Sequence, residues 1–141
     1  MPFDDPQTPW EARYSLIYLV AVALLHGQPL IEQFSESALM DPLVREMMGR
    51  ITVSADETST PLAPQPATVT LTLADGTQFP QRVEFPRGGP QLPLDPAELD
   101  AKFLYCARHI MTPGHIQGAI EQFRDLENIQ NVSGLASILG A

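Results

Sequence analysis

The sequence predicts an α+β fold, in which a small antiparallel sheet packs against helices and a helical tail follows at the C-terminal side. Two patterns support this class. A stretch over about 67–85 alternates apolar and polar side chains, as a β-hairpin does. Elsewhere, four capping residues are each followed by proline, as at helix starts. With 141 residues, 44% hydrophobic and 18% charged, the composition predicts one globular domain over 1–141.

Helices are predicted where a capping residue precedes a run with apolar residues at helical spacing. Thr8, Pro9 and Glu11 have the order of a capping box that opens the first helix. That helix is apolar on nearly all faces after Ser15, so we expect other elements to enclose it, and Gly27 suits its end. The predicted helices cover 9–26, 31–36, 42–48, 96–111 and 113–139, the last with interruptions at Gly118 and Gly134.

The hairpin turn at Asp75-Gly76 has two candidate lengths. A two-residue loop is the usual choice for this dipeptide, but it would leave Phe79 on the same face as the threonines. A three-residue loop over 74–76 pairs Leu71 with Phe79 and gathers the apolar side chains on one face. It requires Gly76 to be left-handed in a bulge. We therefore predict the longer loop.

Three irregular or short segments flank the hairpin. Residues 51–54 are predicted to form a further strand, 55–66 an exposed loop, and 86–93 a rigid connector. The Gly88-Gly89 pair could instead cradle a phosphate at a helix N-terminus. Composition favours the connector, because proline follows the pair and no phosphate-loop lysine is present.

Cys106 is the single cysteine, which excludes an internal disulfide. It shares a predicted helix face with Leu99, Phe103 and Ile110. We therefore expect that face to point inward and the thiol to be buried and unreactive.

The formal net charge of −9 argues against nucleic acid and anionic membrane as partners. It does not argue against a small carboxylic acid, which one or two converging arginines can bind. The apolar run over 16–25 is too short to span a bilayer. Asp4 and Asp5 stand where a signal peptide would be cationic, so we expect a cytoplasmic protein.

Tyr18 is the leading candidate for a catalytic residue. It follows Tyr14 by one turn of the predicted first helix, and a phenol can donate to a carboxylate or transfer a proton when its pKa is perturbed. The alternative is a core tyrosine whose hydroxyl reaches a backbone group. Arg13 is the candidate for substrate binding, because a guanidinium can hold a carboxylate through two bonds. Its alternative is a solvated arginine near a helix start.

Metal and cofactor chemistry have no candidate residues in the sequence. His26, His109 and His115 lack the spacing of metal ligands, and no dinucleotide or phosphate-loop motif occurs. We therefore expect neither a metal nor a cofactor. Lys102 is expected to form a surface ion pair with Glu98, one turn earlier on the predicted helix.

Five sequence blocks, taken in their order, resemble a known family. They are EARYSLIY (11–18), DPLV with RITV (41–53), VTLTLADG (69–76), GPQLPL (89–94) and LDAKFLYCA (99–107). Together they resemble the C-terminal part of the MmgE/PrpD family, which includes 2-methylcitrate dehydratase and cis-aconitate decarboxylase. The resemblance implies the small α+β domain that closes as a lid over an acid-binding cleft, to which Tyr18 contributes. Family members have Ser-x-Pro-Tyr at this point, and Ile17 replaces the proline, so a straighter helix is expected.

In such enzymes a large all-helical domain supplies the groups that remove a proton next to a carboxylate. The resemblance therefore implies a stand-alone C-terminal domain of a 2-methylcitrate dehydratase-like lyase for small di- or tricarboxylic acids, inactive without a helical-domain partner. The alternative is a non-catalytic binding or oligomerisation module, with a homodimer as one arrangement. Whether the chain is itself an enzyme stays open between the two.

Overall fold

The computed structural model describes residues 3–55 and 66–140. The elements are α1 Pro9–Ala12, α2 Leu16–His26, α3 Glu36–Leu39, α4 Pro42–Met48, β1 Ala67–Thr72, β2 Gln78–Val83, α5 Pro96–Ala107, α6 Pro113–Arg124 and α7 Ser133–Leu139, with 3-10 turns at Ile31–Phe34 and Leu126–Asn128. The predicted α+β class, with a hairpin and a C-terminal helix, is confirmed. Two compact units are present, Met1–Thr58 and Ser59–Ala141, and the assignment of 1–141 to one domain stays a prediction.

The region predicted as the first helix contains two helices, α1 and α2, so the prediction of one continuous helix over 9–26 is wrong. Ser15 separates α1 from α2 because its backbone is extended, with φ −104° and ψ 109°, and its side chain accepts a hydrogen bond from the Tyr18 amide at 3.2 Å. Serine in this position is a strong helix N-cap. The break places Tyr14 before α2 and Tyr18 within it, so the two tyrosines do not share a helix face.

The core of the first unit joins α2 to α3 and α4. Its buried side chains are Ala12, Tyr18, Ala21, Val22, Leu39, Val44 and Met48. Only one side of α2 takes part, since Leu16 and Leu24 stay 41% and 46% exposed. The expectation that other elements enclose this helix is therefore wrong for the part of the chain that the structure describes.

Residues 51–54 do not form the predicted strand. Ile51 continues the turn that leaves α4, with its amide donating to the carbonyl of Met48 at 3.1 Å. A strand needs a neighbouring ladder to bond its backbone, and none lies beside 51–54 within residues 3–55 and 66–140. The predicted loop over 55–66 lies, apart from its two end residues, outside the described residues.

The hairpin has the register and the turn that the apolar alternation predicts. Leu71 stands opposite Phe79, and the amide of Leu73 donates to the carbonyl of Thr77 at 2.9 Å across the three-residue loop. Gly76 has φ +86°, the left-handed conformation that this loop requires. The burial implied by the alternation is absent, because every residue of both strands is exposed. Both strands are therefore exposed on both faces.

The connector after the hairpin contains a tight turn. The amide of Gly88 donates to the carbonyl of Leu92 at 2.8 Å, and the φ of Gly88 is +88°. Asp95 then opens α5 with a full capping box, accepting from the Glu98 amide at 2.8 Å while Glu98 accepts from the Asp95 amide.

The C-terminal helices differ from the prediction in two ways. Gly118 lies inside α6 and Gly134 inside α7, so the real interruption is 125–132. Cys106 is exposed and Ile110 is 79% exposed, so the predictions of a buried thiol and of a fully inward face around it are wrong. Ala107 is the buried residue of α5, and Phe103, one turn before it, is half-buried with its ring centroid 6.0 Å from that of Phe123 in α6. Among the described residues, every helix is too short or too polar to cross a bilayer.

Candidate functional site

Tyr18 lies in the first turn of α2 with its side chain fully buried. Its hydroxyl donates to the backbone carbonyl of Gln33, which belongs to the 3-10 turn Ile31–Phe34. Its ring also packs against Phe34, with centroids 6.3 Å apart. A buried phenol needs a hydrogen-bond partner, and the turn supplies one. In this conformation Tyr18 has the geometry of a core tyrosine.

The surroundings of Tyr18 keep its hydroxyl protonated. Burial raises the pKa of the Tyr18 phenol above its ordinary value of 10.0, and the nearby Asp41 carboxylate raises it further. Asp41 is held in place as the N-cap of α4, accepting from the Leu43 amide at 2.8 Å. At neutral pH this group is therefore a hydrogen-bond donor and not a base.

Arg13 lies in the break between α1 and α2, and its side chain is exposed. Its guanidinium carbon stands 5.9 Å from the centroid of the Phe34 ring, which is within the range of a cation–π contact. Phe34 therefore touches both predicted site residues. The structure brings Arg13 and Tyr18 to the same aromatic ring. The Arg13 side chain is exposed to solvent, whereas the Tyr18 side chain is buried.

Phe34 and Gln33 were not predicted as site residues. The sequence indicates only a short helix at 31–36, and nothing in its composition marks these two residues as neighbours of Tyr18. Gln33 is 15 positions after Tyr18. Their contact depends on how the segment after α2 folds back against that helix. A pattern read along the chain does not contain that return.

Two surface cavities lie near other arginines, each of about 260 Å³. The first unit has a cleft lined by Asp4, Asp5, Ile17, Arg45, Met48 and Gly49. The second unit has an apolar groove between α5 and α6, with Asp100 and Arg124 among its lining residues. Arg45 is paired with Asp5, and Arg124 with Asp100. Because Arg45 and Arg124 are each already paired with a carboxylate, they are less suited than Arg13 to bind the carboxylate of an acid.

His26, His109 and His115 are exposed on different helices or just beyond them. In the described part of the chain, no group of three or more His, Cys, Asp and Glu is placed to hold a metal ion. Glu98 pairs with Arg87 from the connector, so the predicted pair with Lys102 is not the one formed.

Comparison with known proteins gives a consistent family signal. A family model for the MmgE/PrpD C-terminal domain matches residues 2–128. The chain is 26% identical over 135 residues to the human protein named cis-aconitate decarboxylase, and 27% identical over 139 residues to the mouse protein of that name. These matches cover 95% and 98% of this chain but 28% of each relative. The chain thus spans little more than a quarter of the length of these curated relatives.

Proposed function

Because the chain belongs to the MmgE/PrpD family, through its C-terminal domain, we propose that it supplies that domain to a lyase of the 2-methylcitrate dehydratase or cis-aconitate decarboxylase type. Its substrate would be a small di- or tricarboxylic acid. The observation that carries the proposal is the family match along 2–128. The two relatives named as cis-aconitate decarboxylase support the reaction class.

Arg13 is the proposed contact for a substrate carboxylate. It is exposed, and its position over Phe34 restrains the guanidinium beside an apolar surface, where a bidentate pair with a carboxylate gains strength. Tyr18 is the proposed donor to the reacting acid. To reach a substrate, its hydroxyl must leave the carbonyl of Gln33, so the turn Ile31–Phe34 has to move when the site closes.

The chemistry needs a base that we place outside this domain. Removing a proton next to a carboxylate requires a general base, and the resulting anion requires donors or cations. Tyr18, with its raised pKa, fits the donor and not the base. We therefore propose that a helical domain supplies the base and that this domain is inactive without it.

The surface around Arg13 supports contact with such a helical domain. Trp10 is 59% exposed, Tyr14 46% and Leu16 41%, and all three lie within three residues of Arg13 in the chain. Large apolar side chains exposed together mark contact sites more often than free surface. A helical domain covering them would also exclude water from the Arg13 guanidinium. We further propose a cytoplasmic location, on sequence grounds alone.

Substrate binding tests the role of Arg13. We would titrate cis-aconitate and 2-methylcitrate into the chain and follow amide shifts by NMR, with wild type, Arg13→Ala and Arg50→Ala compared. Arg50 is an exposed arginine of the same unit that pairs with Glu46. The proposal expects shifts at Arg13 and Phe34 and about tenfold weaker binding for Arg13→Ala alone. Equal weakening by both variants would mean that the acid responds to net charge and not to a specific contact with Arg13, which would contradict the proposal.

Turnover tests the need for a second domain. The purified chain alone should neither dehydrate 2-methylcitrate nor decarboxylate cis-aconitate, and a complex with the helical domain of a family enzyme should gain one of these activities. In that complex Tyr18→Phe should lower kcat by roughly 10²-fold, the scale of a lost proton donor. Turnover by the chain alone would contradict the proposal.

A second candidate function is a non-catalytic binding or oligomerisation module. The exposed hairpin favours it, since a sheet with both faces open is available for a partner. Ligand and partner binding distinguish the two functions. A non-catalytic module would self-associate or bind another protein without responding to either acid. The lyase proposal requires the acid response at Arg13.

A further inference from the structure

The two outer edges of the hairpin differ in what they offer to another strand. The amide of Leu73 bonds to Thr77 across the hairpin, and bonded pairs alternate along an antiparallel ladder. With the observed register, this places Leu71 opposite Phe79 in a bonded pair and turns the amides of Thr68, Thr70 and Thr72 to the outer side of β1. Within the described residues no strand lies beside that edge.

Proline and charge close the outer edge of β2 to pairing, whereas the outer edge of β1 is unpaired among the described residues. Pro80 stands opposite Thr70, so it occupies an outward position of β2 and has no amide to donate there. Arg82, also outward, is charged and paired with Glu84. Proline and charge are the usual protection of an edge strand. β1, with the sequence ATVTLT, has neither.

We propose that β1 pairs with β1 of a second copy of this chain, antiparallel and about a two-fold axis at Thr70. Thr70 then faces its own equivalent, and Thr68 faces Thr72 of the other copy. Each of these pairs exchanges two backbone hydrogen bonds. The result is a four-stranded sheet whose outer strands are the two protected β2 strands.

The sequence of β1 suits a second copy better than a charged partner. Thr68, Thr70 and Thr72 present one uncharged row to the same uncharged row, so the symmetric interface is self-complementary. A two-fold axis through the sheet keeps both apolar faces on one side, where Val69 meets Leu71 of the other copy. Val69 and Leu71 are 46% and 43% exposed in the single chain, and cross-strand pairs of this kind stabilise a sheet.

The expected affinity is low. A single edge of six residues buries well under the roughly 800 Å² per partner of a standard interface. We therefore expect a Kd on the order of 100 µM. Sedimentation equilibrium from about 10 µM to 1 mM spans that range and is the primary measurement.

Charge exchange at the two-fold position tests both the pairing and its register. Thr70→Lys and Thr70→Glu each place like charges directly opposite one another and should weaken self-association at least tenfold. An equimolar mixture of the two should restore dimer formation, because Lys then faces Glu. Gln78→Lys is the matched control. Gln78 lies on the same sheet face as Thr70 but on β2, away from the proposed interface, so this variant should leave the dimer unchanged.

Amide exchange identifies the edge involved. In the concentrated wild type, NMR should show slowed exchange for the amides of Thr68, Thr70 and Thr72, and dilution should remove it. A chain that is monomeric at about 1 mM would overturn the proposal, as would a dimer that Thr70→Lys does not weaken or that the mixture does not restore. Protected β1 amides in a monomer would show the edge covered within one chain and would also overturn it. These outcomes do not depend on the acid binding or turnover tested above.

Discussion

Tyr18 and Phe79 are both aromatic residues in well-formed elements, yet Tyr18 is fully buried and Phe79 is 55% exposed. Local signals define the backbone around each of them. Ser15 caps the helix of Tyr18, and a bulged turn sets the register of Phe79. The difference lies in what covers the element: α3 and α4 cover α2, whereas no described element covers the hairpin along its strands.

This comparison separates two sources of order in the chain. In the first unit, local caps and a shared core act together. In the hairpin, alternation and turn chemistry act without cover from any described element, and a two-stranded ribbon is only marginally stable by itself. Substitutions in the first unit should therefore change global stability, and substitutions in the hairpin should change local order.

The largest difference is expected between two matched leucines. Leu39 is fully buried in the first unit, and Leu71 is 43% exposed in β1. Leu39→Ala should lower the free energy of unfolding by about 2–5 kcal/mol, because it leaves a cavity. Leu71→Ala should lower it by less than about 1 kcal/mol. Urea denaturation of the first unit's signals, followed by NMR or Trp10 fluorescence, measures both. Equal losses would mean that the hairpin is covered in solution.

Tyr18→Phe should have the next largest effect on stability. It leaves the carbonyl of Gln33 without its donor, which destabilises by about 1–3 kcal/mol. Tyr14→Phe is the control, since Tyr14 is 46% exposed. No loss from Tyr18→Phe would show that the hydroxyl does not hold the 3-10 turn in solution.

The same variant carries a pH signature. The folded-state pKa of Tyr18 is raised above 10.0, so the folded state retains its proton to higher pH than the unfolded state. Its contribution to stability is thus complete below pH 10 and is lost as the pH rises from there through the folded pKa. Stability of the wild type should fall in this window more steeply than that of Tyr18→Phe, as measured by denaturation at a series of pH values.

Ser15→Ala should give a smaller loss of about 1 kcal/mol, because it removes the N-cap of α2. Ser54→Ala, at an exposed position outside any element, should be neutral. The helical signal of α2, measured by amide exchange at its first turn, should weaken in the first variant alone. Unchanged exchange there would argue for a continuous helix from α1 into α2.

The smallest global effect is expected from Gly76→Ala. A Cβ at this position meets no atom within 4 Å, so the only penalty is the positive φ of +86°, about 1 kcal/mol. The loss should appear as faster amide exchange in β1 and β2 with little change in global unfolding. Gly76→Asn should recover part of it, because asparagine tolerates this conformation. A loss of global stability equal to that of Leu39→Ala would contradict the separation of the two regions.

Much of the local structure could be predicted from the sequence because its causes lie within a few residues. Asp95 and Glu98 form their capping box because they are three positions apart. The register of Leu71 with Phe79 follows from strand parity and from the one residue that tolerates a left-handed turn. The family resemblance is likewise carried by short blocks in order.

The rest depended on distant partners. The sequence placed Tyr18 and Arg13 as candidates, but only the fold brings both to Phe34 and gives the Tyr18 hydroxyl to Gln33. Burial was the least predictable property: Cys106 and the apolar strand face were expected inside and are exposed. An apolar pattern records that a face prefers cover, whereas cover itself requires a second surface, and only the tertiary structure decides whether the same chain provides it.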